Sequence, residues 1–292
     1  MASAPSGRFV AVLLPATPTL VTESCYYGPM LEGLSERLLA SGLVIRPVQA
    51  VHTYQQEAFL SRPMRGYAGA VLVGMYRPEA FIEQVVRVMP GPKVVLDHHF
   101  EELPIYSVRD DAAGGMRAIV EHLASLGHRS IAYIDKATAA ANPWKREGLQ
   151  AALEERGLDL PKGWIAGCRV IEYDLHTTDV RGSDVYAAME WFGQLDPRPT
   201  AIVCCDDTRA LFAVRAAEAL GLAVPDDLSV TGYGDEAYIK RTSRFLTSLQ
   251  MNTRLMGERA AEIVLQPPPI EKRASLLPLE LVIRRSTGPV PT

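Results

Sequence analysis

Residues 199–235 read PTAIVCCDDTRALFAVRAAEALGLAVPDDLSVTGYGD, and this stretch decides the fold. It holds two short apolar-rich runs, TAIVCC at 200–205 and LSVTGY at 228–233, with an amphipathic stretch of helical length between them. Runs that are apolar without polar alternation are typical of strands in a parallel sheet, because helices cover both faces of such a sheet. The stretch therefore predicts a strand, a helix and a second strand of an α/β fold.

Similar apolar runs recur along the chain, and amphipathic stretches of helical length separate them. The runs are FVAVLL (9–14), LVIRPVQ (43–49), GAVLVGM (69–75), KVVLD (93–97) and SIAYI (130–134). This alternation predicts an α/β fold throughout. A length of 292 residues favours two lobes, each of about 100 to 150 residues.

The overall composition is that of an ordinary soluble protein. Thirty Lys and Arg residues stand against 34 Asp and Glu, for a net charge of −4, and no basic run is present that would bind a phosphate backbone. The N-terminal segment lacks the pattern of a secretory signal, and no apolar segment has the length of a membrane span. We therefore expect a cytoplasmic protein that does not contact membranes and does not bind nucleic acid through this chain alone.

No pattern typical of an enzyme, a metal site or a cofactor site stands out. The four cysteines lack C-x-x-C spacing and favour reduced thiols. The adjacent histidines His98 and His99 would point to opposite faces of a strand. GYGDEA at 232–237 matches a dinucleotide-binding fingerprint, but no clean amphipathic helix follows it. We expect no catalytic residue, no metal and no cofactor.

The segment HLASLGHRSIAYI at 122–134 joins a predicted helix to a predicted strand. Gly127 stands where a helix end favours the left-handed conformation, which glycine adopts without a Cβ clash. His128 and Arg129 would then lie at the negative end of the helix dipole, where cations and hydrogen-bond donors are favoured. We expect a structural role for His128 and not a catalytic one. Three further helix ends show the same glycine stop, at Gly42, Gly157 and Gly221.

Five stretches together resemble the effector-binding core of the lactose/galactose repressor (LacI/GalR) family. They are HLASLGHRSIAYI, REGLQAALEERGL (146–158), the stretch at 199–235, FLTSLQMNTRLMGERAAEIVL (245–265) and LPLELVIRRST (277–287). The resemblance implies the type I periplasmic binding protein fold, with two Rossmann-like lobes that have parallel sheets and are joined by three crossovers.

The same resemblance implies the boundaries of the two lobes. The first lobe would hold residues 8–107 and 252–266, and the second would hold 109–246 and the last strand at 276–287. The crossovers would lie near 107–111, near 245–251 and near the three prolines at 267–269.

The resemblance also implies a function. Family members bind a small effector, commonly a sugar, in the cleft between the lobes, and lobe closure in a homodimer controls DNA binding. They usually carry an N-terminal helix-turn-helix, which this sequence does not contain. We expect either that the DNA-reading domain has been removed or replaced by another type, or that the chain is a stand-alone sensor. The alternative function is a stand-alone or transport-type sugar-binding protein without a role in DNA binding.

Acidic residues directly follow several predicted strands, and ligands of α/β sheets bind beyond the carboxyl ends of the strands. Asp97 and Asp206 match family positions that bind ligand, and Asp207 matches the acid beside the second of them. The alternatives are a strand-end cap for Asp97, a helix N-cap for Asp206 and a first-turn acid for Asp207. Gly234 stands where the family often has an acid, and Asp235 follows it.

Two adjacent cations lie near the start of a predicted helix. Lys145 matches a family arginine that binds ligand hydroxyls, and Arg146 is its neighbour. Because a lysine cannot reproduce the planar two-pronged donor of arginine, either Arg146 takes over this contact or the ligand differs. The pair favours the hypothesis of an anionic sugar or sugar acid.

Three further residues complete the predicted ligand site. Tyr26 matches an aromatic residue that packs on the sugar, with a core role as the alternative. Asp110 lies on the first crossover, where a hinge or helix-cap role is the alternative. Tyr173 lies in a variable segment and would supply a second stacking ring.

Overall fold

The chain folds into two compact units in the computed structural model, which describes residues 8–15, 26–74, 79–137, 143–169, 180–235 and 245–291. Unit 1 comprises Met1–Asp110 and Asn252–Leu277, and unit 2 comprises Asp111–Met251 and Pro278–Thr292. The chain therefore passes from one unit to the other three times.

Unit 1 is a six-stranded parallel sheet with helices. Its elements are β1 (Phe9–Leu14), α1 (Tyr27–Leu39), β2 (Val44–Gln49), α2 (Thr53–Leu60), β3 (Tyr67–Val73), α3 (Glu79–Val88), β4 (Lys93–Leu96), β5 (Tyr106–Asp110), α8 (Thr253–Leu265) and β11 (Ala274–Leu277). The strand order is β11-β5-β4-β3-β1-β2, and every neighbouring pair is parallel. Strand β3 is buried along its whole length, as expected for an apolar run in a covered sheet.

Unit 2 repeats this plan. Its elements are α4 (Ala112–Ser125), β6 (Ile131–Lys136), α5 (Pro143–Glu154), β7 (Ile165–Cys168), α6 (Asp184–Gly193), β8 (Ala201–Cys204), α7 (Asp207–Ala219), β9 (Ser229–Gly234), β10 (Thr247–Gln250) and β12 (Glu280–Val282). The strand order is β12-β10-β9-β8-β6-β7, in which only the β10–β12 pair is antiparallel. One core packs beneath α6 and α7, and a second packs beneath α4 and α5. The predicted α/β fold class is confirmed.

Glycine ends four helical segments as predicted. Gly42, Gly127, Gly157 and Gly221 all have positive φ values, between 65° and 94°. A side chain with a Cβ would be strained in this conformation. The local pattern of a helix followed by glycine was therefore sufficient to find these helix ends.

The last strand differs from the expectation. The segment at 276–287 does not form one strand of the second unit, because the chain divides at Pro278. Strand β11 ends at Leu277 and pairs with β5, whereas β12 begins at Glu280 and pairs with β10. Proline lacks an N–H for the strand ladder and interrupts the pairing. The third passage thus lies at Leu277–Pro278 and not near the prolines at 267–269.

The other two passages lie at Asp110–Asp111 and Met251–Asn252. Helix α4 and helix α8 begin directly after them, and each is capped by a side chain. Asp111 accepts a hydrogen bond from the amide of Gly114, and Asn252 accepts one from the amide of Leu255. No helix among the described residues is long and apolar enough to span a bilayer.

His128 has the predicted structural role, but its ring makes different contacts from those expected. The ring is fully buried and hydrogen-bonds to the hydroxyls of Thr200 and Ser229, both at 2.9 Å, and to the carbonyl of Gly288 at 3.0 Å. Arg129, in contrast, donates to the carbonyl of Ala124 at the end of α4. His128 therefore joins the amino ends of β8 and β9 to the C-terminal segment.

We expect His128→Ala to lower the free energy of unfolding of unit 2 by about 2 to 4 kcal/mol, because it leaves buried polar groups without partners. The three tryptophans, Trp144, Trp164 and Trp191, all lie in unit 2, so tryptophan fluorescence during urea unfolding reports on this unit. Arg198→Ala, at an exposed position, is the control and should change the free energy by less than about 0.5 kcal/mol. Equal effects of the two variants would contradict the assigned role.

The stability contributed by His128 should depend on pH. Burial lowers the pKa of His128 below the usual value of about 6.5, so the unfolded chain takes up this proton first as the pH falls. The contribution is present at pH 7 and is lost as the pH falls below about 6.5. The difference in unfolding free energy between the wild type and His128→Ala should therefore narrow from pH 7 to pH 5.5. A constant difference would show that folding does not lower the pKa of His128.

Candidate functional site

The strand order of unit 2 places a topological switch point between β6 and β8. The chain continues from β6 to β7 on one side of the sheet and then to β8 on the other side, so the connections diverge at this point. Ligands of open α/β sheets bind at such a switch point, beyond the carboxyl ends of the strands. Asp135 and Lys136 end β6, and Cys205 and Asp206 follow β8.

Asp206 is held by an ion pair with Arg209. Its carboxylate accepts the amide N–H of Arg209 at 2.9 Å and the guanidinium at 2.6 Å. The ammonium of Lys136 lies 3.8 Å from the same carboxylate. Burial opposes ionisation of this carboxyl, but the two cations outweigh burial and hold the pKa of Asp206 below its ordinary value. The predicted N-cap of α7 is therefore an ionised carboxylate at the switch point.

Arg209 also joins two elements of the unit. Its guanidinium is buried and donates to the carbonyl of Cys168, at the end of β7, at 2.8 and 3.0 Å. The planar fork of arginine suits this combination of a carbonyl and a carboxylate. The side chain thus ties the start of α7 to the neighbouring strand end.

Lys145 lies in the first turn of α5 and faces the same edge. Its ammonium donates to the carbonyl of Cys205 at 3.0 Å and lies 3.7 Å from the centre of the Tyr233 ring. A cation over an aromatic face is attracted by the ring quadrupole. These contacts hold the lysine above the ends of β8 and β9.

Arg146 has a looser contact. Its guanidinium lies 4.0 Å from the carboxylate of Asp135, and its side chain is 47% exposed, whereas that of Asp135 is 7% exposed. Asp135 also accepts the amide N–H of Lys136 at 2.8 Å. Burial raises the pKa of Asp135, and the nearby cations offset only part of this rise.

Three of the predicted ligand residues therefore lie at the carboxyl ends of the central strands β6 and β8, a region that we call the β6–β8 edge: Lys145, Arg146 and Asp206. Asp207 is the predicted first-turn acid, and this alternative is confirmed. Its buried carboxylate accepts a hydrogen bond from the Ser248 hydroxyl below the helix end. A Cβ on Gly232 would meet this carboxylate, so the glycine makes room for it.

Asp235 is placed less favourably for a ligand. Its side chain is 1% exposed and lies 2.9 Å from the guanidinium of Arg284. A buried carboxylate requires a compensating cation, because an unpaired buried charge is costly. A ligand contact through Asp235 stays a prediction, and its ion pair with Arg284 favours a structural role.

The remaining predicted residues lie in unit 1 or outside the described residues. The ring of Tyr26 meets that of Tyr27 edge-to-face, with centroids 4.9 Å apart. Asp97 adopts a left-handed conformation with φ of 56°, and its backbone amide donates to the carbonyl of Val108, so its ligand contact and the strand-end cap both stay predictions. Asp110 is buried at the end of β5, and the helix cap is the next residue, Asp111. Tyr173 is outside the described residues.

The ligand residues predicted from the sequence do not include four residues of this edge: Asp135, Lys136, Arg209 and Tyr233. Arg209 follows the N-cap residue Asp206 by three positions, and this spacing is a usable signal for a local ion pair. Tyr233 lies within a predicted strand, where no local pattern distinguishes it from a core residue. Only its short distance to Lys145 in the folded chain shows that Tyr233 belongs to the candidate site.

Metal and thiol chemistry find no support among the described residues. No group of three or more His, Cys, Asp or Glu side chains in that part of the chain is placed to hold a metal ion. Cys168, Cys204 and Cys205 are buried thiols. Burial raises the pKa of Cys168 to about 12, so this thiol is protonated at neutral pH.

The sequence profile of the family described as periplasmic binding protein-like domain matches residues 120–287, which is more than half of the chain. The chain belongs to this family. Among its relatives is the HTH-type transcriptional repressor PurR of Vibrio campbellii, which is 27% identical over 275 residues, covering 91% of this chain and 79% of the repressor.

Solved structures with the same fold include two LacI-family regulators. A LacI transcriptional regulator from a Rhodococcus species has a TM-score of 0.75 and 23% identity, covering 98% of this chain and 100% of the other. The LacI family regulator CcpA of Weissella paramesenteroides, solved with bound glucose, has a TM-score of 0.74 and 20% identity, covering 96% and 98%. The predicted LacI/GalR effector-binding core with the type I periplasmic binding protein fold is confirmed.

The buried pair of Arg209 and Asp206 should stabilise unit 2 far more than an exposed pair does. We expect Arg209→Met to lower the free energy of unfolding by about 3 kcal/mol or more, because it leaves a carboxylate and a carbonyl without their donor. The matched control is Arg117→Met, which removes an exposed two-pronged pair with Glu155 in the same unit and should cost less than about 1 kcal/mol. Urea unfolding followed by tryptophan fluorescence measures both. Similar losses would show that burial does not strengthen the Arg209 contact.

Proposed function

We propose that this chain is the effector-binding core of a LacI/GalR-type transcription regulator, and that its effector binds at the β6–β8 edge of unit 2. The observation that carries the proposal is the convergence of Asp135, Lys136, Lys145, Arg146 and Asp206 at the switch point. The family membership and the repressor relative support the regulatory role.

The chemistry of this edge suits a small hydroxylated molecule. Carboxylates accept hydrogen bonds from hydroxyl groups, and ammonium and guanidinium groups donate to them. Such charge-assisted bonds are stronger than neutral ones. A sugar or sugar derivative presents several hydroxyls to both kinds of group. The glucose bound by the Weissella regulator is consistent with this ligand class.

The regulatory mechanism follows from the two-unit chain. Effector binding is proposed to act through the three chain passages on a DNA-reading domain, in a homodimer. A transport-type binding protein is disfavoured, because the relative and the structures above are named as transcription regulators. The same proteins are not enzymes, which supports the proposed absence of catalysis. A transcription regulator must reach the DNA inside the cell, and we therefore propose a cytoplasmic location.

Effector binding can be tested with the full chain by calorimetry against pentoses, hexoses and sugar acids. Binding of at least one class supports the proposal, and no binding by any member, with turnover of one of them, would refute it. A bound ligand at about 100 times its Kd should also raise the stability by about 2.7 kcal/mol, which a thermal melt detects.

We expect Lys145→Met to weaken binding of the ligand found in this way by about tenfold or more, which is about 1.4 kcal/mol. The substitution removes the donor and keeps an unbranched side chain of similar length beside Tyr233. Titration by calorimetry and by the fluorescence of the adjacent Trp144 measures the loss. Lys162→Met, in the exposed turn before β7, is the control and should bind normally. Unchanged affinity of Lys145→Met would place the effector elsewhere.

A further inference from the structure

Tyr133 carries a buried hydroxyl group that the fold does not use. The side chain is fully buried in β6, within the core beneath α4 and α5. Its Oη atom has no hydrogen-bond partner among the described residues. Buried hydroxyl groups are nearly always hydrogen-bonded, because the loss of water without a replacement costs free energy. A partner that the described chain does not supply is therefore expected at this atom.

Asp135 follows two positions later and lies on the same face of the sheet, because side chains alternate along a strand. Its side chain is 7% exposed, and the protein uses only one of its oxygens. Oδ1 accepts the amide N–H of Lys136 at 2.8 Å. Oδ2 lies 4.0 Å from the guanidinium of Arg146, which is too long for a hydrogen bond, and accepts none from a described residue. This nearly buried carboxylate thus keeps one oxygen available to a donor.

The Tyr133 hydroxyl lies toward the carboxyl end of its strand. The titratable groups that act on it all lie at the carboxyl ends of β6 and β8: Cys205, Asp135, Cys204 and Asp206. Burial raises the pKa of Tyr133 well above its ordinary value, and these neighbours, when ionised, add to the rise. The hydroxyl is therefore protonated at neutral pH and can donate a hydrogen bond toward the β6–β8 edge.

The two side chains are complementary to one hydroxyl group of a ligand. Tyr133 offers a donor, Oδ2 of Asp135 offers an acceptor, and a hydroxyl group both accepts and donates. Residues two apart on a strand have Cα atoms about 6.6 Å apart, so an oxygen between the two side chains could bond to both. The bond to the carboxylate would be charge-assisted and therefore stronger than a bond between neutral groups.

An unpartnered hydroxyl by itself does not mark a ligand position. Thr231 of β9 also has a buried hydroxyl without a described partner. The strand register places it level with Tyr133, with Val203 of β8 between them. The residue two positions further along β9 is Tyr233, which offers no carboxylate. The combination of an unused donor and an unused acceptor distinguishes β6 from β9.

We propose that Tyr133 and Asp135 bind one hydroxyl group of the effector, with Tyr133 donating to its oxygen and Asp135 accepting a hydrogen bond from it. This inference rests on the function proposed above and names the residues that select one position of the ligand. The Tyr133 hydroxyl is covered in the effector-free chain, so the ligand must displace the side chains that cover it. An analogue without this hydroxyl would leave both groups unpaired, and a site built in this way rejects such analogues.

The test combines deoxy sugars with a variant that lacks only the tyrosine hydroxyl. Calorimetry on the full chain compares glucose and ribose with their single-deoxy derivatives, for the wild type and for Tyr133→Phe. We expect Tyr133→Phe to bind the parent sugar about tenfold or more weakly. One deoxy derivative should lose about tenfold or more against the wild type but less than about threefold against Tyr133→Phe, because the two changes remove the same bond. The position of that deoxy group identifies the hydroxyl that is bound.

Asp135→Asn tests the acceptor. The substitution keeps an oxygen for the amide of Lys136 and removes the negative charge that strengthens the bond to the ligand. We expect it to weaken binding of the parent sugar by about threefold or more. Asp159→Asn, at an exposed position of the same unit, is the matched control and should bind as the wild type does.

Two further variants separate a ligand contact from a structural role of the hydroxyl. Thr231→Val removes the other unpartnered hydroxyl and should not change the affinity. Tyr106→Phe removes a hydroxyl that donates to the carbonyl of Pro268 at 2.7 Å, so it should lower the melting temperature and leave the affinity unchanged. Tyr133→Phe should keep or raise the melting temperature of the effector-free chain, because no hydrogen bond within the described chain is lost.

The possible outcomes separate this inference from the proposed function. Equal affinity of the wild type and Tyr133→Phe for the parent sugar overturns the inference and leaves the effector-binding function in place. A lower melting temperature of Tyr133→Phe with unchanged affinity also overturns it, since the hydroxyl would then stabilise the fold through an internal water. Losses that are the same in both proteins for every deoxy derivative place the bound hydroxyl elsewhere and overturn it as well. No binding of either sugar or of any derivative removes the proposed ligand class and this inference together.

Discussion

Parallel pairing of five strands is the constraint on which unit 2 depends. Parallel neighbours cannot be joined by a tight turn, so each connection must return to the opposite edge of the sheet through a crossover. All carboxyl ends therefore meet at one edge, and α5 and α7 both begin there. This arrangement brings Asp135, Lys145 and Asp206 together, although they lie up to 71 positions apart in the sequence. The site is a consequence of the topology.

Burial then divides the charged residues at this edge into two groups. Charges that are removed from water must be paired, because an uncompensated buried charge costs several kcal/mol. Asp206 with Arg209 and Asp235 with Arg284 meet this requirement within the protein. Arg146 is about half exposed and has only a long contact with Asp135 among the described residues, so water can solvate it. The buried pairs are neutralised within the protein, whereas the guanidinium of Arg146 is open to solvent.

The side chains at the amino ends of the same strands have a structural role. His128, Thr200 and Ser229 lie at the starts of their strands and bind one another and the C-terminal segment. The resulting network is buried and has no open donor at the histidine ring. The proposed ligand groups lie at the opposite ends of the strands. A substitution at His128 should therefore affect unfolding much more than binding.

The sequence by itself determined the α/β fold, the glycine helix ends, the first-turn acid Asp207 and the structural role of His128. These features depend on periodicity and on neighbours within a few residues, which the sequence shows directly. The break at Pro278 could have been predicted for the same reason, since proline ends strand pairing. The sequence prediction instead placed the third passage between the units near the prolines at 267–269.

Only the tertiary structure decided which charges the fold pairs with one another. Arg209 meets the carbonyl of Cys168, 41 positions away, and Asp235 meets Arg284 from another strand connection. No local pattern predicts such contacts, because they arise when distant strand ends meet at one edge.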